Sequence, residues 1–208
     1  MKVAVVGTGN MGAAFAKALD AAGIEIIIGH RDFGKAAALA AKIGSGVESG
    51  GVSTAIKVAD ISILALPYPS ILEVLQAAGA LDGKIIVDIS NPITADYKDL
   101  LLGHTSSAAE QIQSAAPTAR VVKAFNTIFA NLIPRQGRNE KLVQVFVAGN
   151  DADATARVRG LAEKLAFEAI DAGPLTNSRF LEPIGEMNIH FGFFLGWGPT
   201  AAPAWVRF

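Results

Sequence analysis

The chain has 208 residues, 51% of them hydrophobic and 18% charged, with a formal net charge of -1. That length and composition bury a full core as one domain, with or without a small appendage, and exclude the basic field that nucleic acid requires. With no cysteine and with three histidines (His30, His104, His190) that lack ligand spacing, disulfides, a cysteine nucleophile and a metal site are excluded, and a small-molecule ligand is expected.

The opening MKVAVVG runs as a strand straight into a glycine turn, without the regions of a signal peptide. The aromatic stretch IHFGFFLGWG is shorter than the ~20 apolar residues that a bilayer span takes. A cytoplasmic protein without membrane contact is expected.

Apolar runs of strand length then recur at 2–6, 24–29, 61–66, 84–89, 120–125 and 143–149, with a short seventh around 167–170. Continuous β-branched runs read as strands buried on both faces, and their alternation with helical patterns predicts right-handed crossovers. In GNMGAAFAKALDAAG, Met11, Phe15 and Leu19 recur four apart, and Ala154, Val158, Leu161 and Leu165 repeat at helical spacing, as core-facing stripes do. The expected fold is α/β, a doubly wound, mostly parallel Rossmann sheet over residues 1–172. Residues 173–208 form a short helical and aromatic tail, expected to cross the sheet edge or to meet a second subunit in a homodimer.

Gly7-Thr8-Gly9-Asn10-Met11-Gly12 follows a strand and opens a helix, the setting in which a G-x-G-x-x-G pattern binds a dinucleotide. The first glycine makes the turn, the second admits the pyrophosphate and the third lets helix pack on strand. The helix N-terminus offers free N–H groups and a partial positive charge. An acidic residue that binds the cofactor's ribose lies ~20 residues on, and Asp32 satisfies that count. The second strand begins after Gly23, however, so its tip is Gly29 or His30 and Asp32 lies in the loop beyond. Arg31, able to make a bidentate charged contact, and Lys35, a point charge, suit a 2'-phosphate, so NADP(H) is the expected cofactor.

The motifs TGNMG, GHR..GK, ALP, SNP, KAFNT, VFVAGND and DAGPLTNSR follow one another as in the coenzyme F420-dependent NADP oxidoreductase family, and the chain is identified by resemblance as a member. The NADP-binding domain of the six-transmembrane metalloreductases is also similar. The resemblance implies hydride transfer between nicotinamide and a stacked flavin or deazaflavin (F420). By motif, Thr8, Gly9, Asn10 and Met11 wrap the pyrophosphate and His30, Arg31 and Lys35 hold the 2'-phosphate. Leu66 and Pro67 line a ribose, Ser90-Asn91-Pro92 and Ala124 to Thr127 border the nicotinamide, and Gly173-Pro174-Leu175 faces it. Asn126, Thr127 and Arg179 are the expected acceptor contacts.

Competing structural readings are that Asn91-Pro92 only turns the chain, that Asn126 satisfies a buried backbone group, and that Arg179 pairs with Glu182 across one helical turn. Relative to the deazaflavin enzymes, Asn126 replaces a histidine, and Pro183 and Gly185 stand where serine and threonine are expected; KAFNT is closer to the flavin-using metalloreductases. No acid–base constellation is evident, so no catalytic side chain is expected and the cofactors carry the chemistry. Two other readings are an NADPH-dependent imine or hydroxy-acid reductase, whose long helical domain has only the 36-residue tail as counterpart, and a non-enzymatic NADP(H) sensor.

Overall fold

The computed structural model describes residues 1–139 and 141–208. Eight strands form one sheet: β1 (Lys2–Val6), β2 (Glu25–Gly29), β3 (Glu48–Gly50), β4 (Ile61–Leu64), β5 (Ile85–Asp88), β6 (Arg120–Lys123), β7 (Gln144–Gly149) and β8 (Glu168–Asp171), in the order β3-β2-β1-β4-β5-β6-β7-β8. The helices are α1 (Asn10–Ala21), α2 (Phe33–Ile43), α3 (Val52–Val58), α4 (Tyr68–Ala78), α5 (Ala108–Ala115), α6 (Ala152–Lys164) and α7 (Ser178–Ile189). Strand order reverses at β1, which places the topological switch point, and the ligand crevice of such folds, between the carboxyl ends of β1 and β4. The doubly wound α/β fold expected from the sequence is present, and no helix among the described residues is long and apolar enough to cross a membrane.

The central strands are apolar on both faces because helices cover both. Val3, Val5, Ile61 and Ile63 pack with Phe15 and Leu19 of α1, and Val6, Leu64 and Ile86 pack with Ile71 and Leu75 of α4. β3 and α3 are additions to the predicted elements. The strand is three residues long and mostly exposed, and it is tied on by the Gly29–Gly50 register and by an ion pair from Lys2 to Glu48.

β1 to β6 are parallel, but β7 pairs antiparallel with β6, and β8 follows β7. A parallel return requires a crossover that covers the sheet, usually a helix. The β6–β7 connection contains only the short 3-10 turns Ala130–Leu132 and Arg135–Arg138 among its described residues. Arg138 fastens this connection, its buried guanidinium donating to the carbonyls of Leu132, Ile133 and Ala166 while it lies over the Phe167 ring.

The reversal decides where the tail begins. Gly173 accepts from Gly149 N, beside the middle of β6, and Leu175 is buried with Val121, Ala116 and Ala119. α7 therefore starts well below the carboxyl edge and climbs toward it, so that Asn188 near its end donates to the Thr127 carbonyl. A π-helical turn, His190–Phe194, follows. The last residues cross the face of β7, where Trp205 exchanges two hydrogen bonds with the Gln144 amide and stands edge-on to Phe146.

Candidate active site

The glycine turn between β1 and α1 separates two cavities. Gly7 has φ +110°, and a Cβ there would fall 2.3 Å from the Ala65 carbonyl oxygen. Gly12 is equally constrained, since its Cβ would sit 2.1 Å from the Gly7 oxygen. Around Gly9, by contrast, a Cβ would meet nothing within 4 Å. Gly9 is also the N-cap of α1, with no side-chain cap and no acidic residue in the first turn. Open space over Gly9 and uncapped amides on a twelve-residue helix fit a pyrophosphate.

The first cavity, about 670 Å³, opens between β1, β2, α3 and α4. Gly7, Thr8, Gly9, His30, Arg31, Leu66 and Pro67 all line it. Asp32 does not point a carboxylate into it; Oδ1 caps α2 by accepting from Gly34 N and Lys35 N. His30 Nδ1 accepts from Asp32 N, which fixes the imidazole at the strand tip. Arg31 is exposed, with no carboxylate partner among the described residues. A capped acid and an unpaired guanidinium fit a 2'-phosphate better than a bare ribose. Lys35, in the first turn of α2, is exposed beside this rim without lining the cavity. Gly29 has a packing role at the strand tip, because its Cβ would fall 2.8 Å from that of Ala55 in α3. Phe33, 68% exposed, also borders the cavity and was not among the expected residues.

The second cavity, about 360 Å³, lies on the other side of the turn and is lined by Asn10, Met11, Asn91, Asn126 and Thr127 among others. Asn91 Nδ2 donates to the Asn126 carbonyl at 2.8 Å, and Asn126 Nδ2 donates both to Asn91 Oδ1 and to the Leu181 carbonyl, each at 2.8 Å. Asn126 thus does satisfy a buried backbone group, and its own Oδ1 is left buried without a partner. The pair is presented by a backbone turn at Phe125, whose φ of +60° is rare outside glycine. Edge-on contacts with Phe15 and Phe167 hold that ring, 1% exposed, in the core, so that the strained residue is fixed by packing. Gly185 of α7 closes the pair from the far side: a Cβ there would meet Asn91 Nδ2, Oδ1 and Cγ at 2.5, 2.6 and 2.8 Å. Tyr97, Phe129 and Phe193 complete the rim.

Not all expected residues come together. Ala124 is wholly buried in the core, and Pro92 is buried in a turn whose carbonyl accepts from Leu101 N. Gly173-Pro174-Leu175 lies away from both cavities, because reversal of β7 and β8 turns their carboxyl ends toward the other edge of the sheet. Arg179 pairs with neither Glu182 nor the Asn126 cavity. It grips both oxygens of Glu110, at 2.8 and 2.5 Å, beside a separate small cavity under residues 99–106. That contact holds the Glu110 carboxyl below the usual carboxylate range, with help from the Ser107 hydroxyl of the α5 cap.

Beneath the amide pair lies a buried ionic triad that the sequence did not reveal. Lys123 and Asp88 are wholly buried and Glu182 is 2% exposed. The ammonium donates to Asp88 Oδ2 at 2.8 Å, Glu182 Oε1 at 2.8 Å and the Ser90 carbonyl at 2.5 Å. Burial acts to lower the Lys123 pKa, but the two carboxylates outweigh it and keep the amine charged. Glu182 also accepts from Ala108 N and Ala109 N at the start of α5, while burial pushes its carboxyl upward.

The family model described as NADP oxidoreductase, coenzyme F420-dependent, matches residues 2–92. The F420-dependent NADP reductase of Methanothermobacter marburgensis is 32% identical over 208 residues, covering 91% of this chain and 92% of that protein. Metalloreductase STEAP3 of Rattus norvegicus is 30% identical over 186 residues; 88% of this chain is covered, but only 36% of that longer protein. Among solved structures, a putative F420-dependent NADP-reductase from Arthrobacter sp. FB24 superimposes with a TM-score of 0.87 at 34% identity, covering 96% of each chain. With a split crevice whose two halves flank the glycine turn, and with likeness over nearly its whole length, the chain belongs to the coenzyme F420-dependent NADP oxidoreductase family and is an NADP-dependent oxidoreductase.

Proposed function

We propose that the protein transfers a hydride between NADP(H), seated across the glycine turn, and a planar tricyclic acceptor, a deazaflavin of the F420 type or a flavin, seated in the second cavity. The observation that carries this reading is the division of the crevice. A larger half carries unpaired Arg31, and a smaller half is walled by the Asn91–Asn126 pair and three aromatic rings.

In this reading Gly7 to Gly12, with Thr8, Asn10 and Met11, hold the pyrophosphate, Arg31 with Lys35 and His30 takes the 2'-phosphate, and Leu66 and Pro67 border the adenosine ribose. NADPH supplies the hydride when bound. Asn91, Asn126 and Thr127 orient the nicotinamide face, the unpartnered Asn126 Oδ1 being an acceptor suited to a carboxamide N–H. Met11, Phe129 and Phe193 exclude water, and hydride transfer between two cofactors asks the protein for orientation and little else. Arg179, committed to Glu110 beside the separate small cavity, takes no part in this site. Residues 1–172 act as the nucleotide-binding unit, residues 173–208 complete the acceptor wall, and the protein works as a cytoplasmic homodimer through its exposed tail.

The test is turnover: purified protein with NADPH should reduce F420, FMN or FAD. Failure to reduce any of the three above a heat-inactivated control refutes the reading.

A further inference from the structure

Three segments meet at the Asn91–Asn126 pair: residues 88–91 from the end of β5, residues 123–126 from the end of β6, and residues 181–182 of α7. The Lys123 ammonium, carried by the second, ties the first and third to it. Lys123 spends its three N–H bonds on Asp88, on the Ser90 carbonyl and on Glu182, and Asp88 Oδ1 accepts from Ser90 N at 2.9 Å. Both backbone groups of the residue before Asn91 are thereby fixed. Glu182, next in chain to the carbonyl that receives Asn126, is held further by two α5 amides, one on each carboxylate oxygen.

A buried triad is a poor device for stability alone, because well-packed apolar side chains of similar volume serve as well or better. Its distinguishing property is direction, since three donors on one nitrogen admit a narrow set of positions for three chain segments. We propose that Lys123, with Asp88 and Glu182, is a positioning residue that sets the geometry of the nicotinamide subsite without contributing to the adenosine half. This rests on the assignment of the second cavity to the nicotinamide and acceptor. Lys123 touches neither cavity; it acts through Ser90, Asn91 and Asn126.

Lys123→Met alone would strand two buried carboxylates, so the informative variant is the neutral Asp88→Asn/Lys123→Met/Glu182→Gln. Its fold is checked by circular dichroism and a cooperative melt. Its affinity for adenosine 2',5'-bisphosphate, which has no nicotinamide, should stay within about twofold of the parent's, whereas hydride transfer should fall about tenfold or more. Fluorescence lifetime of bound NADPH reads nicotinamide order directly, and it should move toward that of the free nucleotide. If the triple variant does not fold, Asp88→Asn/Lys123→Met, which leaves Glu182 on its two amides, must show the same split.

A folded variant that keeps the parent's lifetime overturns the proposal, as does an equal loss of affinity for the fragment and for NADPH. The lifetime and the fragment need no acceptor. A parent that reduces no acceptor therefore refutes the proposed function and leaves this test standing.

Discussion

Gly185→Ala is a one-carbon perturbation with two opposed effects. In the interior of α7, alanine gains about 1 kcal/mol over glycine in helix propensity. The added Cβ, however, would sit 2.5–2.8 Å from three atoms of the Asn91 amide, which real Cβ contacts do not tolerate. Asn91 has to swing away, and the two hydrogen bonds it exchanges with Asn126 are lost, at about 0.5–1.5 kcal/mol each. The net change in stability is a loss of about 0–2 kcal/mol, because the propensity gain offsets part of the cost. The functional change should be much larger, since misplacing an orienting group by about 1 Å costs up to 10²-fold in rate. Chemical denaturation and NADPH-dependent turnover of the parent, Gly185→Ala, Asn91→Ala and the double variant form a cycle. In the Asn91→Ala background the Cβ has room, so Gly185→Ala should there be stabilising, with a coupling of about 2 kcal/mol between the sites. Additive energies, or a Gly185→Ala protein that is more stable with unchanged turnover, would refute the packing account.

Arg31→Ala should raise the Kd of NADPH about 10-fold or more while leaving that of NADH nearly unchanged, as expected for loss of a charged hydrogen bond worth about 1.5–3 kcal/mol; equal effects on both in calorimetric titration would displace Arg31 from the 2'-phosphate. Phe125→Ala keeps the left-handed backbone but loses the ring between Phe15 and Phe167, and should cost about 3–5 kcal/mol in urea denaturation. Two carboxylates should respond to pH with opposite signs. Burial raises Glu186, so the folded state holds that proton more tightly and stability falls as pH rises through the raised value; Glu186→Gln should flatten that fall. Arg179 lowers Glu110, whose contribution is present above the usual carboxylate range and lost in acid, so Glu110→Gln should reduce the melting temperature at neutral pH and match the parent in acid.

Most strands were legible because they centre on apolar runs, and the glycine turn because Gly7 and Gly12 have no room for a Cβ while Gly9 leaves the helix amides open. Strand direction was not, since an apolar run such as VQVFVAG has no polarity. The antiparallel β7 follows from a connection without a crossover helix, and with it Gly173 to Leu175 moved away from the crevice. β3 escaped because ESG is polar, short and at the edge. Asp88, Lys123 and Glu182 are scattered in sequence and unite only through the sheet. Two of them did leave a mark: KIIVDI and RVVKAF each contain a charge near the end of a buried run, and those charges are register partners in adjacent strands. Similarly, SAAE at Ser107 to Glu110 has the capping-box pattern; Ser107 Oγ accepts from Glu110 N and donates to its carboxylate, which commits Glu110, and hence Arg179, to a place outside the second cavity.

The turning back of β7 and β8 gives the molecule two walls of different kinds. The wall of the first cavity consists largely of loops that each leave the top of a parallel strand, so altering one disturbs the strand below it. On the proposed reading, the part of the acceptor wall that comes from the tail is the upper end of α7 and the π-helical turn after it, and residues 189–199 lie outside every strand. If that reading holds, acceptor preference can drift by substitution in that one stretch of chain while the strands and the loops around the first cavity stay as they are.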